Sequence, residues 1–578
     1  MSADDGHLLF GFAENALYDG KIAGLHGNVL PRVSQAELAD ALRRLPREEV
    51  DQALEDKLVP IITMPGVKLY AACGAQALHL AEQRGARIAA SASLEDFHEA
   101  VRFIHGKALE KGASLGLARM RPEFSASRRL TSAQIGVGLV LASAVVLGML
   151  TLPFDAAWAA ASLIAALFFL AVVALRILCL LPPLRHARAT PVTLADADLP
   201  VYSVLVPLFR ETRVVRQLLN ALTALDYPPE RLDIKLILEE GDLPMRRLFA
   251  RLELPPQFEV IIVPAGTLQT KPRALNYALR FARGELLTIY DAEDTPEARQ
   301  PRLAANAFAG LPQDVACLQA KLVFFNKDEN WLTKQFTIEY ATLFGLLLPA
   351  LANHHLPLPL GGTSNHFRAG LLRKVGAWDP YNVTEDADLG LRLSRAGYRT
   401  GVLDSKTDEE ANVRLGNWMR QRARWLKGFL ITWLVHMRDP ARVWGELGAS
   451  GFWAMQALTL GVFASALLHP LCMAASLAML VIHPVLPEEA GWFARGLAGL
   501  NLAVFATGYG VTLLAGRRAL RRQRIFCWVL PLLTMPVYWL LMSAAAWLAL
   551  WQFIRAPFHW NKTEHGLSSF QKRRRGKA

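Results

Sequence analysis

The stretch Leu286-Leu287-Thr288-Ile289-Tyr290-Asp291-Ala292-Glu293-Asp294 decides the fold, because an apolar strand pattern passes directly into three carboxylates. Similar apolar runs precede it at 202–207, 234–238 and 259–263, and a helical pattern at 213–225 separates the first two. Strands that alternate with helices predict a mostly parallel sheet covered by helices, whose ligands bind beyond the carboxyl ends of the strands. The sequence therefore predicts an α/β domain at about 191–440 with a ligand site at its acidic strand ends.

Composition points to a membrane protein that carries soluble domains. The chain has 578 residues, of which 52% are apolar, and its net charge is +12. The basic residues cluster beside apolar segments, as in loops that face an anionic leaflet, and no basic module with interleaved aromatic residues indicates nucleic-acid binding. The five cysteines are dispersed without a Cys-x-x-Cys pair, so we expect neither a disulfide framework nor a zinc site. The amino terminus lacks a basic stretch followed by an apolar core, so we expect no cleavable signal peptide.

Two apolar runs precede the predicted α/β domain. They cover 134–152 and 156–175, their short link carries no basic residue, and Arg and His residues flank both outer ends. The positive-inside rule therefore predicts a transmembrane hairpin within 119–190 whose two ends are cytoplasmic.

The apolar runs after the domain follow the same rule. The link 487–489 is acidic and 517–524 is rich in Arg, so the first is predicted outside and the second inside. We therefore expect residues 441–516 to cross the membrane twice, after a first part that lies along the membrane interface. The run 525–553 begins in the cytoplasm and precedes a basic tail, so within 517–578 it is predicted as an interfacial or re-entrant helix. The prediction is four transmembrane helices, and an ordinary fifth span is the alternative.

Two further segments combine carboxylates with an Arg-rich helix. Thr384-Glu385-Asp386 is followed 35 positions later by Gln421-Arg422-Ala423-Arg424-Trp425. Gln421, Arg424 and Trp425 are spaced i, i+3 and i+4, so they share one helical face. With the acidic stretch 291–294 before them, these segments resemble the motifs of family 2 glycosyltransferases that make β-linked glycans at a membrane, such as cellulose and hyaluronan synthases.

The resemblance implies a GT-A-type sheet domain between transmembrane helices, which uses a UDP-sugar and inverts the anomeric centre. Asp386 would be the base that takes the proton of the acceptor hydroxyl. Arg424 would balance the diphosphate charge, while Gln421 and Trp425 would bind the acceptor sugar. The other substrate-binding residues that the resemblance implies are Glu239 and Glu240 near the uracil, Lys271 near the nucleotide, and Glu385.

The resemblance also implies a metal site and a lid. Asp291 and Glu293 take the place of the family's Asp-x-Asp motif, and carboxylates two apart on an extended segment project to one side. They would share Mg²⁺ or Mn²⁺ with the diphosphate, and Asp294 is an alternative second ligand. The lid residues follow 525–553, at the position of a loop that closes over the nucleotide in cellulose synthase. They are Trp560, Lys562 and Thr563, with Lys562 at the diphosphate.

Residues 1–118 are predicted to form a small α/β domain, with strands at 59–63 and 68–72 around a Pro-Gly turn. This region is similar to the N-terminal domain of type II secretion ATPases. Some relatives of that domain bind cyclic di-GMP, but the Arg-Leu-Gly repeat associated with binding is not evident here. We therefore expect a regulatory or docking domain.

Taken together, the sequence predicts an enzyme of a bacterial inner membrane that polymerises a β-linked exopolysaccharide, with UDP-glucose as the favoured donor. Its N-terminus, catalytic domain and C-terminus would be cytoplasmic. Its partners would be the donor, the growing glycan and the lipid bilayer, together with a second copy or a secretion partner, because four helices are few for a polymer channel. The alternatives are a non-processive transferase with a lipid-linked acceptor and a catalytically silent scaffold of a secretion complex.

Overall fold

A computed structural model describes residues 30–181, 192–482, 492–556 and 568. The chain divides into two compact units. The first comprises Met1–Gly116, Asp198–Thr212 and Tyr227–Leu287, and the second comprises Leu117–Ala197, Arg213–Asp226 and Thr288–Ala578.

The helices and strands follow in chain order. Before the sheet domain come α1 (Gln35–Arg44), α2 (Arg47–Asp56), β1 (Leu58–Met64), β2 (Val67–Cys73), α3 (Ala75–Arg84), β3 (Arg87–Ala92), α4 (Leu94–Met120), α5 (Ser132–Thr151) and α6 (Phe154–Leu178). The sheet domain contains β4 (Tyr202–Leu208), α7 (Val215–Thr223), β5 (Leu232–Glu239), α8 (Leu243–Phe249), β6 (Phe258–Val263), α9 (Lys271–Ala278), β7 (Leu286–Ile289), β8 (Thr295–Pro296), α10 (Gln300–Gly310), β9 (Val315–Phe324), α11 (Trp331–Thr342), α12 (Leu348–Asn353), β10 (Asn365–Arg368), α13 (Ala369–Lys374), α14 (Glu385–Arg395), β11 (Arg399–Glu409) and α15 (Leu415–His436). The last helices are α16 (Pro440–Gln456), α17 (Val462–Ile482), α18 (Trp492–Arg522), α19 (Val529–Leu533) and α20 (Met535–Arg555).

The first unit contains the two strands predicted within residues 1–118 and parallel strands of the predicted α/β domain. Its N-terminal sheet has the order β1-β2-β3, with β1 and β2 antiparallel and β2 and β3 parallel. The β1–β2 turn contains Gly66 with a φ of +78°, a conformation that favours glycine. A second group of strands in this unit has the order β6-β5-β4, and all three are parallel. Every residue of β5 is buried, as is usual for parallel strands covered on both faces.

A buried charge network joins the N-terminal elements to β5 and β6 within the first unit. Lys235 Nζ lies 2.6 Å from Asp233 Oδ1 and also pairs with Glu259. Lys57, after α2, places its Nζ 3.0 Å from Glu259 Oε2, and His98 Nε2 of α4 lies 2.7 Å from Glu259 Oε1. Removal of one partner from such a network leaves an uncompensated buried charge, so loss of a single member would destabilise this packing.

The second unit contains four strands in the order β10-β9-β11-β8. β9 and β11 are parallel, whereas β10 pairs with β9 and β8 pairs with β11 in the antiparallel sense. The sequence pattern did not predict β10 or β8, because segments of four and two residues are too short to display strand periodicity.

Within the described part of the chain, six helical stretches are long and apolar enough to cross a membrane, by length and composition. Four of them include the predicted spans, in α5, α6, α16–α17 and α18. The other two are Trp331–Asn353, more than half of which is buried inside the protein, and α20. α20 packs against α15 and α17 through Ala545, Ala546 and Ala549. These stretches indicate a multi-pass membrane protein, and the interfacial placement of α20 stays a prediction.

Candidate active site

The two carboxylates of the Thr-Glu-Asp segment open α14. Glu385 and Asp386 are half-buried, and Asp386 Oδ1 accepts a hydrogen bond from the N–H of Ala387 at 2.7 Å. Asp388 is different, because it is fully buried and bonded to Arg392 Nε at 2.7 Å and His436 Nε2 at 3.1 Å. Burial opposes ionisation of Asp388, but Arg392 and His436 hold its pKa below the usual value. Asp388 therefore anchors the helix, while Glu385 and Asp386 remain at the surface of the site.

The loop before α14 is fitted to the helix that carries the Gln-x-x-Arg-Trp segment. The N–H of Thr384 donates to Asn382 Oδ1 at 3.1 Å, and Asn382 Nδ2 donates to Thr432 Oγ1 of α15 at 2.9 Å. Gly428 of α15 faces Thr384, and a Cβ at Gly428 would lie only 2.7 Å from the Thr384 Cβ. The missing side chain at Gly428 lets the Thr-Glu-Asp loop approach α15.

Arg424 brings the separate acidic segments together. Its side chain is half-buried on α15, and burial lowers the pKa of the guanidinium. The carboxylates of Glu385, Asp386, Asp291 and Glu293 all act on Arg424 and oppose that pKa shift. Two acidic segments that lie far apart in sequence thus converge within electrostatic reach of one cation. On the same helix, Gln421 Oε1 accepts a hydrogen bond from Asn412 Nδ2 at 2.7 Å.

Trp425 is held by an aromatic and ionic cluster that the sequence pattern did not predict. Its ring stacks on Tyr340, with centroids 6.1 Å apart and planes at 23°, and the Arg422 guanidinium carbon lies 4.6 Å from its centroid. Arg422 makes two hydrogen bonds to Glu339, at 2.8 and 2.7 Å. Tyr340 and Glu339 lie on α11, more than 80 positions before Trp425, so no local signal identified them.

The acidic stretch after β7 divides into two kinds of carboxylate. Asp291 and Glu293 are half-buried, whereas Asp294 is almost fully buried. Asp294 Oδ2 accepts hydrogen bonds from the N–H of Asp291 at 2.8 Å and from Thr363 Oγ1. Burial, and then Asp291 and Glu293, raise the pKa of Asp294 well above its usual value. Asp294 therefore fixes the conformation of this loop through contacts on its buried side.

The crowding of three carboxylates suits a divalent cation, whose charge would relieve their repulsion. Asp294 Oδ1 is a buried oxygen without a hydrogen-bond partner among the described residues. In the same part of the chain, no group of three or more His, Cys, Asp or Glu side chains could hold a metal by itself. Asp291 and Glu293 would therefore hold such a cation only together with oxygens of a bound diphosphate and of water.

The first unit places the predicted nucleotide-binding residues at the ends of parallel strands. Glu239 ends β5 in a buried position, where burial raises its pKa and Arg273, whose Nη2 lies 2.5 Å from Glu239 Oε2, opposes the shift. Glu240 is half-buried and its Oε2 accepts from the N–H of Ala265 at 2.9 Å. Lys271 is half-buried and begins α9. Glu240 thus follows β5 directly and Lys271 begins the helix after β6, at the edge where such sheets bind ligands.

The predicted lid residues Trp560, Lys562 and Thr563 lie outside the described residues, and their role stays a prediction.

Comparison with known proteins identifies the domain. Residues 286–558 match the family described as Glycosyl transferase family group 2. The probable glycosyltransferase YdaM of Bacillus subtilis is 27% identical over 237 residues, which are 40% of this chain and 56% of YdaM. The beta-monoglucosyldiacylglycerol synthase of Synechocystis is 24% identical over 257 residues, 43% of this chain and 53% of that protein. The cellulose synthase catalytic subunit of Pseudomonas fluorescens is 28% identical over 249 residues, 42% of this chain and 33% of that protein.

The chain thus spans about half the length, or less, of these relatives. Among solved structures, the mannosyltransferase PcManGT of Pyrobaculum calidifontis, in complex with GDP-Man and Mn²⁺, is similar with a TM-score of 0.45 and 18% identity, over 69% of this chain and 98% of that one. The family match and the sequence relatives agree with one another. They show that the chain carries a glycosyltransferase domain of family 2.

Proposed function

We propose that this glycosyltransferase is membrane-integrated and inverting, and that it extends a β-linked glycan from a UDP-sugar, with UDP-glucose as the favoured donor. The observation that carries the proposal is the position of Arg424, on which the carboxylates of Glu385, Asp386, Asp291 and Glu293 act together. A cation among acidic groups can accept the diphosphate of the donor while one carboxylate acts on the acceptor.

Asp386 is the proposed general base. It takes the proton of the acceptor hydroxyl as that oxygen attacks the anomeric carbon, and the bond from this carbon to the diphosphate breaks with its electron pair leaving on UDP. A single displacement inverts the configuration, so a β-linkage follows from an α-linked donor. Arg424 pairs with the diphosphate, and Gln421 and Trp425 orient the acceptor sugar. Glu240 and Lys271 bind the nucleotide.

Asp291 and Glu293 would hold Mg²⁺ or Mn²⁺ together with the diphosphate, and Asp294 fixes the loop that carries them. When bound, such a cation stabilises the negative charge that develops on the departing UDP. The residues of the chain orient the donor, and Asp386 moves the proton.

Polymerisation and location complete the proposal. A relative named as a cellulose synthase catalytic subunit and the Gln-x-x-Arg-Trp helix support a processive enzyme that makes an exopolysaccharide. The apolar helices support a membrane location, and the Arg-rich stretch 517–524 favours a cytoplasmic catalytic domain at the inner membrane. A second copy of the chain or a secretion partner would supply the rest of an export channel.

A second candidate is a non-processive transferase that acts on a lipid acceptor. Its support is the similarity over 257 residues to a protein named beta-monoglucosyldiacylglycerol synthase. Both candidates use the same catalytic residues and differ in the product.

The test uses membranes that contain the full-length chain and a panel of UDP-sugars and GDP-sugars. We expect nucleoside diphosphate release from a UDP-sugar, lost in Asp386→Asn. Equal release by both proteins would exclude Asp386 as the base, and absence of release by wild type with every donor would leave a silent scaffold. Linkage analysis then separates a long β-linked glycan from a glycolipid, and a donor preference for GDP-sugars would correct the nucleotide.

A further inference from the structure

We propose that Arg273 is a positioning residue of the donor site, and that Glu110, on α4 of the N-terminal region, sets its position. The inference rests on the proposed function and deepens it, because it makes the N-terminal region part of donor binding.

Arg273 ties two strand ends together. It lies on α9, two positions after Lys271, and its side chain is fully buried. Nη2 donates to Glu239 Oε2 at 2.5 Å, and Nη1 donates to the carbonyl oxygen of Pro264 at 3.0 Å. One guanidinium therefore fixes the end of β5 relative to the loop after β6. The loops that follow these two strands also carry Glu240 and its donor, the N–H of Ala265.

Glu110 reaches the same guanidinium from the N-terminal region. Its Oε1 lies 3.7 Å from Arg273 Nη1 and accepts a hydrogen bond from Ser114 Oγ at 2.7 Å. Gly266 lies against both groups, since a Cβ at this position would overlap Arg273 Nη1 and Glu110 Oε1. The loop after β6 is therefore enclosed between α4 and α9, with the Glu110–Arg273 pair at its base.

A second contact joins the same two helices. Asn276 Nδ2 of α9 donates to the carbonyl oxygen of Ala113 on α4 at 3.1 Å. Because the Arg guanidinium is a planar fork, it satisfies Glu239 and Pro264 at once, which the point charge of a lysine cannot do. The chain of contacts Glu110–Arg273–Glu239 thus transmits the position of α4 to the proposed nucleotide loops.

The decisive variant is Glu110→Gln, which keeps the shape and the acceptor for Ser114 but removes the charge. Its matched control is Asp51→Asn, which breaks the ion pair of Asp51 with Arg280, where both side chains are about half exposed. Exposed pairs contribute little, so the control should behave as wild type. For Glu110→Gln we expect the donor KM to rise about tenfold, as for a weakened charged contact, with kcat and Tm near the wild-type values.

Arg273→Lys provides the second arm. Lysine retains the positive charge but lacks the planar guanidinium that bonds to both Glu239 and Pro264. The donor KM should therefore rise further, while kcat changes less. An unchanged donor KM in a folded Glu110→Gln protein would overturn the inference, and so would an equal rise in Asp51→Asn.

Calorimetry with UDP separates this inference from the proposed function. If wild-type protein binds UDP but transfers no sugar, the proposed function fails, and weaker UDP binding by Glu110→Gln would still support the inference. Equal UDP binding by the two proteins would overturn it, and absence of UDP binding by wild type would overturn both.

Discussion

Thr384 packs directly against Gly428. Thr384 belongs to the loop before α14, and Gly428 is the position on α15 where the absence of a side chain leaves room for this loop. A Cβ at Gly428 would lie 2.7 Å from the Thr384 Cβ, well inside van der Waals contact, and still closer to its Oγ1 and Cγ2. Arg424 lies one helical turn before Gly428, and the carboxylates of Glu385 and Asp386 act on it. The spacing of two proposed catalytic segments therefore depends on one glycine.

Gly428→Ala should separate these segments. The added methyl group has to push Thr384 away, and a displacement of about 1 Å at a reacting group costs roughly 100-fold in rate. We expect turnover to fall by about 10- to 100-fold, measured as UDP release in membranes. Gly416→Ala on the same helix is the control, because among the described residues its Cβ would meet only Arg420 Nη1, at 3.9 Å. Wild-type turnover in Gly428→Ala would show that the close contact has no catalytic role.

Asp386 and Asp388 should respond differently to the same substitution. Asp386→Asn removes the proposed base, so we expect turnover to fall by about 10²- to 10⁴-fold with an unchanged unfolding temperature. Asp388→Asn disrupts a buried pairing with Arg392 and His436, which should cost about 3–5 kcal/mol of stability. Thermal unfolding in detergent and UDP release distinguish the two. If Asp386→Asn unfolded early and kept its turnover, the two assignments would be reversed.

The carboxylates in the loop after β7 should differ in how strongly they affect the metal dependence of sugar transfer. Chelation with EDTA should abolish sugar transfer, and added Mn²⁺ or Mg²⁺ should restore it. Glu293→Gln should raise the half-saturating metal concentration about tenfold, because it removes a charged ligand. Asp294→Ala should mainly lower the unfolding temperature, since it removes the acceptor for Thr363 and the N–H of Asp291. If the Asp294 variant raised the half-saturating metal concentration more than Glu293→Gln did, Asp294 would be the second ligand.

Lys427 predicts a pH dependence of stability. Its side chain is buried on α15, its Nζ donates to the carbonyl oxygen of Ala556 at 3.4 Å, and burial, followed by Arg424, lowers its pKa from 10.5 to about 8. Because the folded-state pKa is the lower one, the unfolded chain binds more protons between these values. The contribution of Lys427 to stability is therefore least favourable below pH 8 and rises with pH through this window.

Lys427→Met should consequently raise Tm most below pH 8, and this gain should shrink as the pH approaches 10.5. Scanning calorimetry of the full chain across this range provides the measurement. Lys427→Arg is the control, because arginine stays charged throughout the window. A constant difference between wild type and Lys427→Met at every pH would contradict the lowered pKa.

The domain type and the apolar helices were predictable from the sequence, because hydrophobic periodicity is a signal within a few neighbouring residues. Apolar runs and strand–helix alternation indicated the α/β domain and the membrane helices, and the order of the acidic and Arg-rich segments indicated the family. The pairing of β10 and β8 was not predictable, since four- and two-residue strands lack a detectable period. The extra membrane-length stretch Trp331–Asn353 was also not predicted, and more than half of it is buried in the protein.

The sequence by itself determined which residue types are present, in which order, and on which helical face or strand end they lie, because periodicity and spacing act over a few residues. Only the tertiary structure distinguished neighbours with the same chemistry. Asp294 differs from Glu293 because Thr363 contacts it, and Asp388 differs from Asp386 because His436 does. Burial and pairing depend on residues that lie tens of positions away, and only folding brings them into contact.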